Sequence, residues 1–313
     1  MPMKISFCTT CMGRAHHLKE TLPQNIRDNP ATEGMDVEFV VLNYNSQDDL
    51  HEWMTTDPQM KAHIESGLVR YGKTTEHEEF YHSHAKNMAH RMATGDVLCN
   101  LDADNYTGPK FAQFLKHNFE NKVDIIMSPS FSISREFPPE GRGFVGRISL
   151  SNDSFYKLAG YDEAFQGWGG EDTDITQRAK GLGLEHLRFE GLEYLKVIGH
   201  SDEDRVLNVP NAKDALTEIN YKQNEESNLS KAINRIDVLL KPIQVNNGTE
   251  FGMGLVHMEN GRDLQFGKVI NEISSPFNVC ALGLPELVRG RISPRIAEEL
   301  NQDRSDDRPA SEL

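Results

Sequence analysis

Two carboxylates one residue apart, in Asn100-Leu101-Asp102-Ala103-Asp104-Asn105, stand where an apolar run gives way to a polar turn. Carboxylate oxygens suit hard divalent cations such as Mn2+ or Mg2+. A cation held there could bridge diphosphate oxygens and neutralise the charge that builds on a leaving nucleotide. Alone, a D-x-D is a weak signal, because it also arises in solvated turns. Its company here is Gly160 to Asp174, in which Gly167, Gly169 and Gly170 surround Trp168 and are followed by Glu171 and Asp172. Glycines on both sides let a loop hinge, the indole offers a flat face that stacks on a sugar ring, and the acids open a helix whose positive end favours them. As plain first-turn acids and a core tryptophan the stretch makes less sense, since ordering an aromatic among glycines costs chain entropy that a packing site has no reason to bear. A histidine, His200, follows Ile198-Gly199. One imidazole with one or two carboxylates and the diphosphate oxygens would complete a cation site.

Other reactive side chains are less pointed. His77, His82, His84 and His90 read first as a polar loop and helix start, and if they serve chemistry, His84 and Lys86 face a nucleotide rather than bind a metal. Cys8 and Cys11 form a C-x-x-C, but Cys99 and Cys280 stand alone, so a four-thiolate zinc site has no second pair. A buried strand thiol and a loop thiol are the preferred reading.

These residues need a scaffold that brings them together. Ile5 to Thr9, Val37 to Leu42, Leu68 to Tyr71, Val97 to Leu101 and Asp124 to Ser128 read as strands. Helical periodicity recurs around Leu18 and Leu22, from Leu50 to Met54, through Ala85 to Met92 with Gly95 as a C-terminal cap, and from Asp172 to Lys180. Alternating strands and helices predict an α/β fold with a mostly parallel central sheet flanked by helices, whose ligands gather past the carboxyl ends of the strands. Phe144 to Leu150 reads as extended, Ser151 to Leu158 as a short helix, and Tyr194 to Ile198 as a strand leading to His200. One domain over 1–240, a small C-terminal extension with glycine-punctuated hairpins over 241–300, and a disordered charged tail over 301–313 complete the expected organisation.

A formal charge of −15 and a pI near 5.3 make the whole-molecule field repel nucleic acid and anionic lipid. An anionic nucleotide would be repelled too, so its site must supply cations of its own. No apolar run approaches the roughly 18 residues that span a bilayer, and no signal peptide is visible, so the expectation is a soluble, cytoplasmic protein.

Taken together, Gly167-Trp168-Gly169-Gly170-Glu171-Asp172, His200-Ser201 with Arg205, Asn208 and Pro210, and Arg14-Ala15-His16-His17-Leu18-Lys19 resemble glycosyltransferases of the GT-A fold. The likeness is to the β-1,4-galactosyltransferase and N-acetylgalactosaminyltransferase type, over roughly residues 4 to 235. The resemblance implies a metal held by Asp104, His200 and Asp102, with Asp102 also near the ribose, and a nucleotide site that adds Thr9, Thr10, Arg14, Asn43, His84 and Lys86. It implies Asp172 as general base, Glu171 on sugar hydroxyls, and Trp168, Gly169 and Gly170 in a lid over sugar and acceptor. The implied reaction is inverting transfer of galactose, N-acetylgalactosamine or a related sugar from a uridine diphosphate (UDP) sugar to a saccharide or glycoconjugate hydroxyl. Thr9-Thr10-Cys11-Met12 and Gly143 depart from the animal galactosyltransferases at a nucleotide loop and near a donor-discriminating tyrosine. A metal-dependent nucleotidyltransferase, which needs no Trp168 or Asp172, and a non-catalytic nucleotide-sugar binding protein are the alternatives.

Overall fold

The computed structural model describes residues 2–122, 124–130, 133, 143–165, 169–210 and 243–269. These fall in one compact unit, Met1–Glu272; the second unit, Ile273–Leu313, lies outside the described residues, as does the expected tail over 301–313.

Strands β1 (Met3–Cys11), β2 (Met35–Tyr44), β3 (Val69–Thr74) and β4 (Val97–Asn100) pair in parallel in the order β4-β1-β2-β3. On one side β5 (Ile125–Pro129), β6 (Ser149–Ser151) and β7 (Glu185–Phe189) extend the sheet, with β6 antiparallel between β4 and β5. On the other, the hairpin of β8 (Gly254–Met258) and β9 (Leu264–Phe266) adds to β3 antiparallel. The chain therefore leaves β1 toward β2 and β3, then returns to the far side of β1 as β4. That reversal opens a crevice beyond the carboxyl ends of β1 and β4.

Central strands of a covered parallel sheet must be apolar on both faces. Ile5, Phe7, Val37, Phe39 and Val41 meet helices α1 (Ala15–Asp28) and α5 (Phe111–Asn121) on one face. There Phe7 stacks on Phe39 and Phe111 with ring centroids 5.2 and 6.2 Å away. Cys8, Val40 and Leu42 meet α4 (His82–Met92) through Ala85, Met88 and Ala89 on the other. Helices α2 (Leu50–Thr56) and α3 (Pro58–Glu65) link β2 to β3. A third cluster packs Leu98, Ile126 and Leu150 against α6 (Asn152–Lys157) and α7 (Glu171–Gly181). Burying each such aliphatic or aromatic side chain is worth about 1.5–3 kcal/mol.

Several local expectations are corrected. Residues 143–146 form a turn and extended structure begins only at Ser149. Tyr194 to Ile198 is not a ladder strand: Leu192–Tyr194 is a 3-10 turn, and Val197 makes a single bridge to Asn105. Gly95 lies beyond the α4 cap, Ala93, and is there because a Cβ would meet Ser6 Oγ at 2.3 Å and the Lys4 carbonyl at 2.8 Å. Strand β7, with its polar alternation at the sheet edge, carries too little apolar signal to be read in advance. Cys8 and Cys11 both lie buried within β1 as free thiols, as does Cys99 within β4.

Helix α1 has no side-chain cap from its own N-cap residue, Arg14. Asp48, in the turn after β2, supplies it: one oxygen accepts from the Ala15 amide at 2.8 Å, while the other accepts from Ser46 Oγ at 2.7 Å and the Leu50 amide at 3.2 Å. Ser46 Oγ in turn accepts from the Gly13 amide at 2.7 Å. Two loops at the mouth of the crevice are thus tied by one carboxylate. Replacing Asp48 by Ala should cost about 1–2 kcal/mol, the upper range for a lost helix cap, read as a lower urea midpoint with an unchanged slope.

Candidate functional site

Asp102 and Asp104 follow β4 directly, at the crevice that the sheet reversal creates. The Asn100 side chain leaves the strand end to donate to Asp102 Oδ1 at 3.2 Å and to the Gly146 carbonyl at 2.9 Å. His200 Nε2 donates to Asp104 Oδ2 at 2.6 Å, and the Asp104 carbonyl accepts from the Ile198 amide at 2.8 Å, so the segment before His200 is sewn to the segment after β4. Residues almost a hundred positions apart meet because the Asn105–Val197 bridge aligns their backbones.

From the opposite wall comes the start of α7. Gly170 is its N-cap at φ 102°, a left-handed conformation that favours glycine, and a Cβ there would strike the Phe165 ring at 2.8 Å. Glu171 and Asp172 then project from the first turn. Lys86, from the second turn of α4, donates to Glu171 Oε1 at 2.9 Å and to Asp172 Oδ1 at 2.7 Å, and its ammonium lies 5.1 Å from the centre of the Tyr161 ring. Lys86 and Glu171 are each only 4% exposed. Asp172 Oδ2 and Asp102 Oδ2 both lie against Gly146, 2.8 and 3.2 Å from where a Cβ would stand. The absence of a side chain at Gly146 is what lets both carboxylates approach the backbone there.

One ammonium among these acids sorts their protonation. Burial works against charge on Lys86, but Asp172 and Glu171 hold its pKa well above the usual lysine value. Burial also pushes the Glu171 pKa up, yet Lys86, then His82, pull it down to about 2. Asp172 goes the other way: burial first, then repulsion from Glu171 and Asp102, raise it to about 7 against the pull of Lys86. Burial raises Asp102 as well, with Asp104 adding to it against Lys86, whereas the hydrogen bond and charge of His200 outweigh burial and lower Asp104. Two adjacent carboxylates, Glu171 and Asp172, therefore differ by environment alone, the condition under which one stays a fixed anion and the other exchanges a proton near neutrality.

The remaining expected residues fall in different places. Thr9 and Thr10 lie just before the last residue of β1, with Thr9 buried, and the Arg14 guanidinium donates to the Asp204 carbonyl. Asn43 turns inward, donating to Tyr71 Oη at 3.0 Å and accepting from the Ser46 amide at 2.8 Å. His84 is also engaged on both nitrogens: Tyr44 Oη donates to Nδ1, and Nε2 donates to the Met253 carbonyl, each at 2.8 Å. Gly169 sits at φ 79°, and among the described residues nothing lies within 4 Å of where its Cβ would stand; Gly167 and Trp168 lie outside the described residues. Sequence reasoning missed Gly146 and Arg147, which reach the site because β6 runs antiparallel to β4 and so starts beside the end of β4. Their only signal was a glycine and a basic residue entering an apolar strand.

Comparison with known proteins bears on the fold and on one segment of the chain. Residues 132–201, which include Gly146, Glu171, Asp172 and His200, match the family described as the N-terminal domain of galactosyltransferase. The mannosyltransferase PcManGT from Pyrobaculum calidifontis, solved in complex with GDP-Man and Mn2+, superposes with a TM-score of 0.50 at 15% identity, over 78% of this chain and 82% of its own. S. aureus TarS 1-349 in complex with UDP gives a TM-score of 0.49 at 16% identity, over 76% and 79%. A search of curated protein sequences returned no match. The architecture is the GT-A fold, and within it residues 132–201 match the galactosyltransferase family model. Among the described residues no helix is long and apolar enough to cross a membrane.

Replacing Lys86 by Met would leave Glu171 and Asp172 facing each other without a counter-ion. It should cost about 3–5 kcal/mol at pH 7.5, as breaking a buried ion pair does. Without Lys86 the folded-state pKa values of both acids rise, so stability is lost as pH rises through them, and the deficit should shrink in urea titrations repeated at pH 5.

Proposed function

We propose that this protein is an inverting, metal-dependent glycosyltransferase. It moves a hexose or N-acetylhexosamine, with galactose or N-acetylgalactosamine favoured, from a UDP-sugar to a hydroxyl of a saccharide or glycoconjugate. The observation that carries the reading is the disposition of Asp172. Its Oδ1 accepts from Lys86 while Oδ2 lies against Gly146 beside Asp102 Oδ2, so one oxygen is anchored and the other is assigned to take the proton.

Among the described residues no three His, Cys, Asp or Glu side chains close around one point, so no cage made of protein alone is present there. The residues fit a cation held in part by its substrate. Asp104 and His200 already meet atom to atom, Asp102 stands one residue away, and carboxylate with imidazole suits Mn2+ or Mg2+ when diphosphate oxygens fill the remaining positions. When bound there, the cation supplies positive charge to the departing diphosphate. GDP-Man and Mn2+ in PcManGT support a nucleotide sugar and a divalent ion for this fold.

In the reaction the acceptor hydroxyl lies against Asp172 Oδ2, which takes its proton as the oxygen attacks the anomeric carbon. The new carbon–oxygen bond forms as the bond to the diphosphate breaks on the opposite face, so configuration inverts and the nucleotide leaves with the electron pair. Lys86 keeps the base carboxylate from turning, and Glu171, ionised and fixed, can accept hydrogen bonds from sugar hydroxyls. The free, buried thiols Cys8, Cys11 and Cys99 suit a reducing compartment such as the cytoplasm.

Asp172→Asn should lower kcat by at least about a hundredfold, the lower bound for loss of a general base, while calorimetry shows UDP-sugar binding within a few-fold of wild type. Normal turnover in that variant would remove the base assignment. Because an ionised Asp172 is the competent form and its pKa lies near 7, kcat/KM should rise with pH up to about 7 and level off above it; a flat profile between pH 5.5 and 8 contradicts the assignment. His200→Ala, or chelator added to wild type, should abolish UDP binding that depends on Mn2+.

A further inference from the structure

Behind the acidic pair lies a second cation that the reaction above does not use. Arg147, at the start of the path into β6, is 1% exposed. One end of its guanidinium donates to the Tyr194 carbonyl, and Nη2 donates to Asn105 Oδ1 at 2.8 Å; the plane lies 5.5 Å from the centre of the Phe111 ring. Asn105, fully buried, passes the contact on: its Nδ2 donates to Asp104 Oδ1 at 2.8 Å and to the Gly143 carbonyl at 3.2 Å. Asp104 Oδ2 then accepts from His200.

The order of these groups is fixed by their hydrogen-bonding capacity. A guanidinium has only donors and an ionised carboxylate only acceptors, whereas a side-chain amide has one face of each kind. Asn105 can satisfy both neighbours in a single orientation, oxygen toward Arg147 and nitrogen toward Asp104. Arg147 thereby fixes which way the amide points, and the amide fixes Asp104 by Oδ1. Oδ2 is left directed at His200. Had the arginine met Asp104 itself, a two-pronged ion pair would have occupied both carboxylate oxygens.

We infer that Arg147 is a positioning residue that acts through Asn105 to hold Asp104 ready for a divalent cation at the Asp104–His200 pair. This rests on the metal reading proposed above. The two ways in which Arg147 could influence a cation have opposite signs. As a bare positive charge nearby it would repel the ion, and its removal would tighten binding. As the anchor of Asn105 it pre-orders a ligand, and its removal loosens binding, since groups that orient a metal's ligands are worth 10–100-fold in affinity.

Protein stripped of metal is titrated with Mn2+ at a fixed, saturating concentration of UDP, and the free ion is followed by electron paramagnetic resonance against a blank of UDP without protein. Wild type should bind one ion that His200→Ala loses. Arg147→Met and Asn105→Ala should each bind about tenfold more weakly, and the double variant no more weakly than Asn105→Ala alone. Circular dichroism checks that each variant is folded. If Arg147→Met does not fold, Asn105→Ala decides alone: wild-type affinity in that variant overturns the relay, and tenfold weaker binding supports it. Unchanged or tighter binding by folded Arg147→Met, or losses that add in the double variant, also overturns the relay. Failure of wild type itself to bind Mn2+ in the presence of UDP overturns instead the metal reading on which the relay depends.

Discussion

The site is organised around one buried ammonium set against an acidic wall. Lys86 touches Glu171 and Asp172 at hydrogen-bond distance and influences Asp102 through space. Taking such charges out of water costs several kcal/mol per ion unless partners are close and well placed, so α4 and α7 must meet in one register for the arrangement to exist. The interaction divides two neighbouring acids into a permanent anion and a group that exchanges its proton near neutrality. Four carboxylates, Asp102, Asp104, Glu171 and Asp172, with Lys86 and Arg147 as cations, leave the site acidic. An anionic nucleotide would then need a cation beside it, which is the electrostatic reason the proposed function includes a metal in a chain of net charge −15.

The scaffold's part is to deliver those groups from distant stretches of chain to one crevice. Reversal of strand order at β1 puts the end of β4, and with it Asp102 and Asp104, at the mouth. The antiparallel run of β6 brings Gly146 and Arg147 to the same end, and the Asn105–Val197 bridge draws in His200. The C-terminal hairpin is sewn to α4 as well: Arg91 donates to the carbonyls of Phe251 and Gly267, and Glu163 accepts from both Asn87 and the Gly252 amide. The helix that carries Lys86 is thereby gripped from both sides.

Much of this was legible in the residues. The parallel strands announce themselves because their centres are apolar on both faces, and the acids past Val97 to Asn100 stand where such a sheet places its ligands. What the chain does not announce is pairing across long separations. Nothing local in Lys86 distinguishes a lysine that meets a nucleotide from one that clamps Glu171, and nothing in Asn43 or His84 says that their polar atoms are spent on Tyr71, Ser46, Tyr44 and Met253. The strand expected before His200 is a bridge of one residue, because a 3-10 turn at Leu192–Tyr194 consumes its beginning. Gly146 and Arg147 were silent for the same reason, since their meaning depends on the antiparallel placement of β6.

A single displacement driven by Asp172 has a direct stereochemical consequence. UDP-galactose is α-linked, and the enzyme with Mn2+ should release its sugar to water slowly when no acceptor is supplied. Proton NMR of the first-formed free galactose, read before mutarotation, tests this without knowledge of the natural acceptor. Inverting displacement predicts the β anomer at early times; α-galactose as the first product would contradict it and require a different role for Asp172.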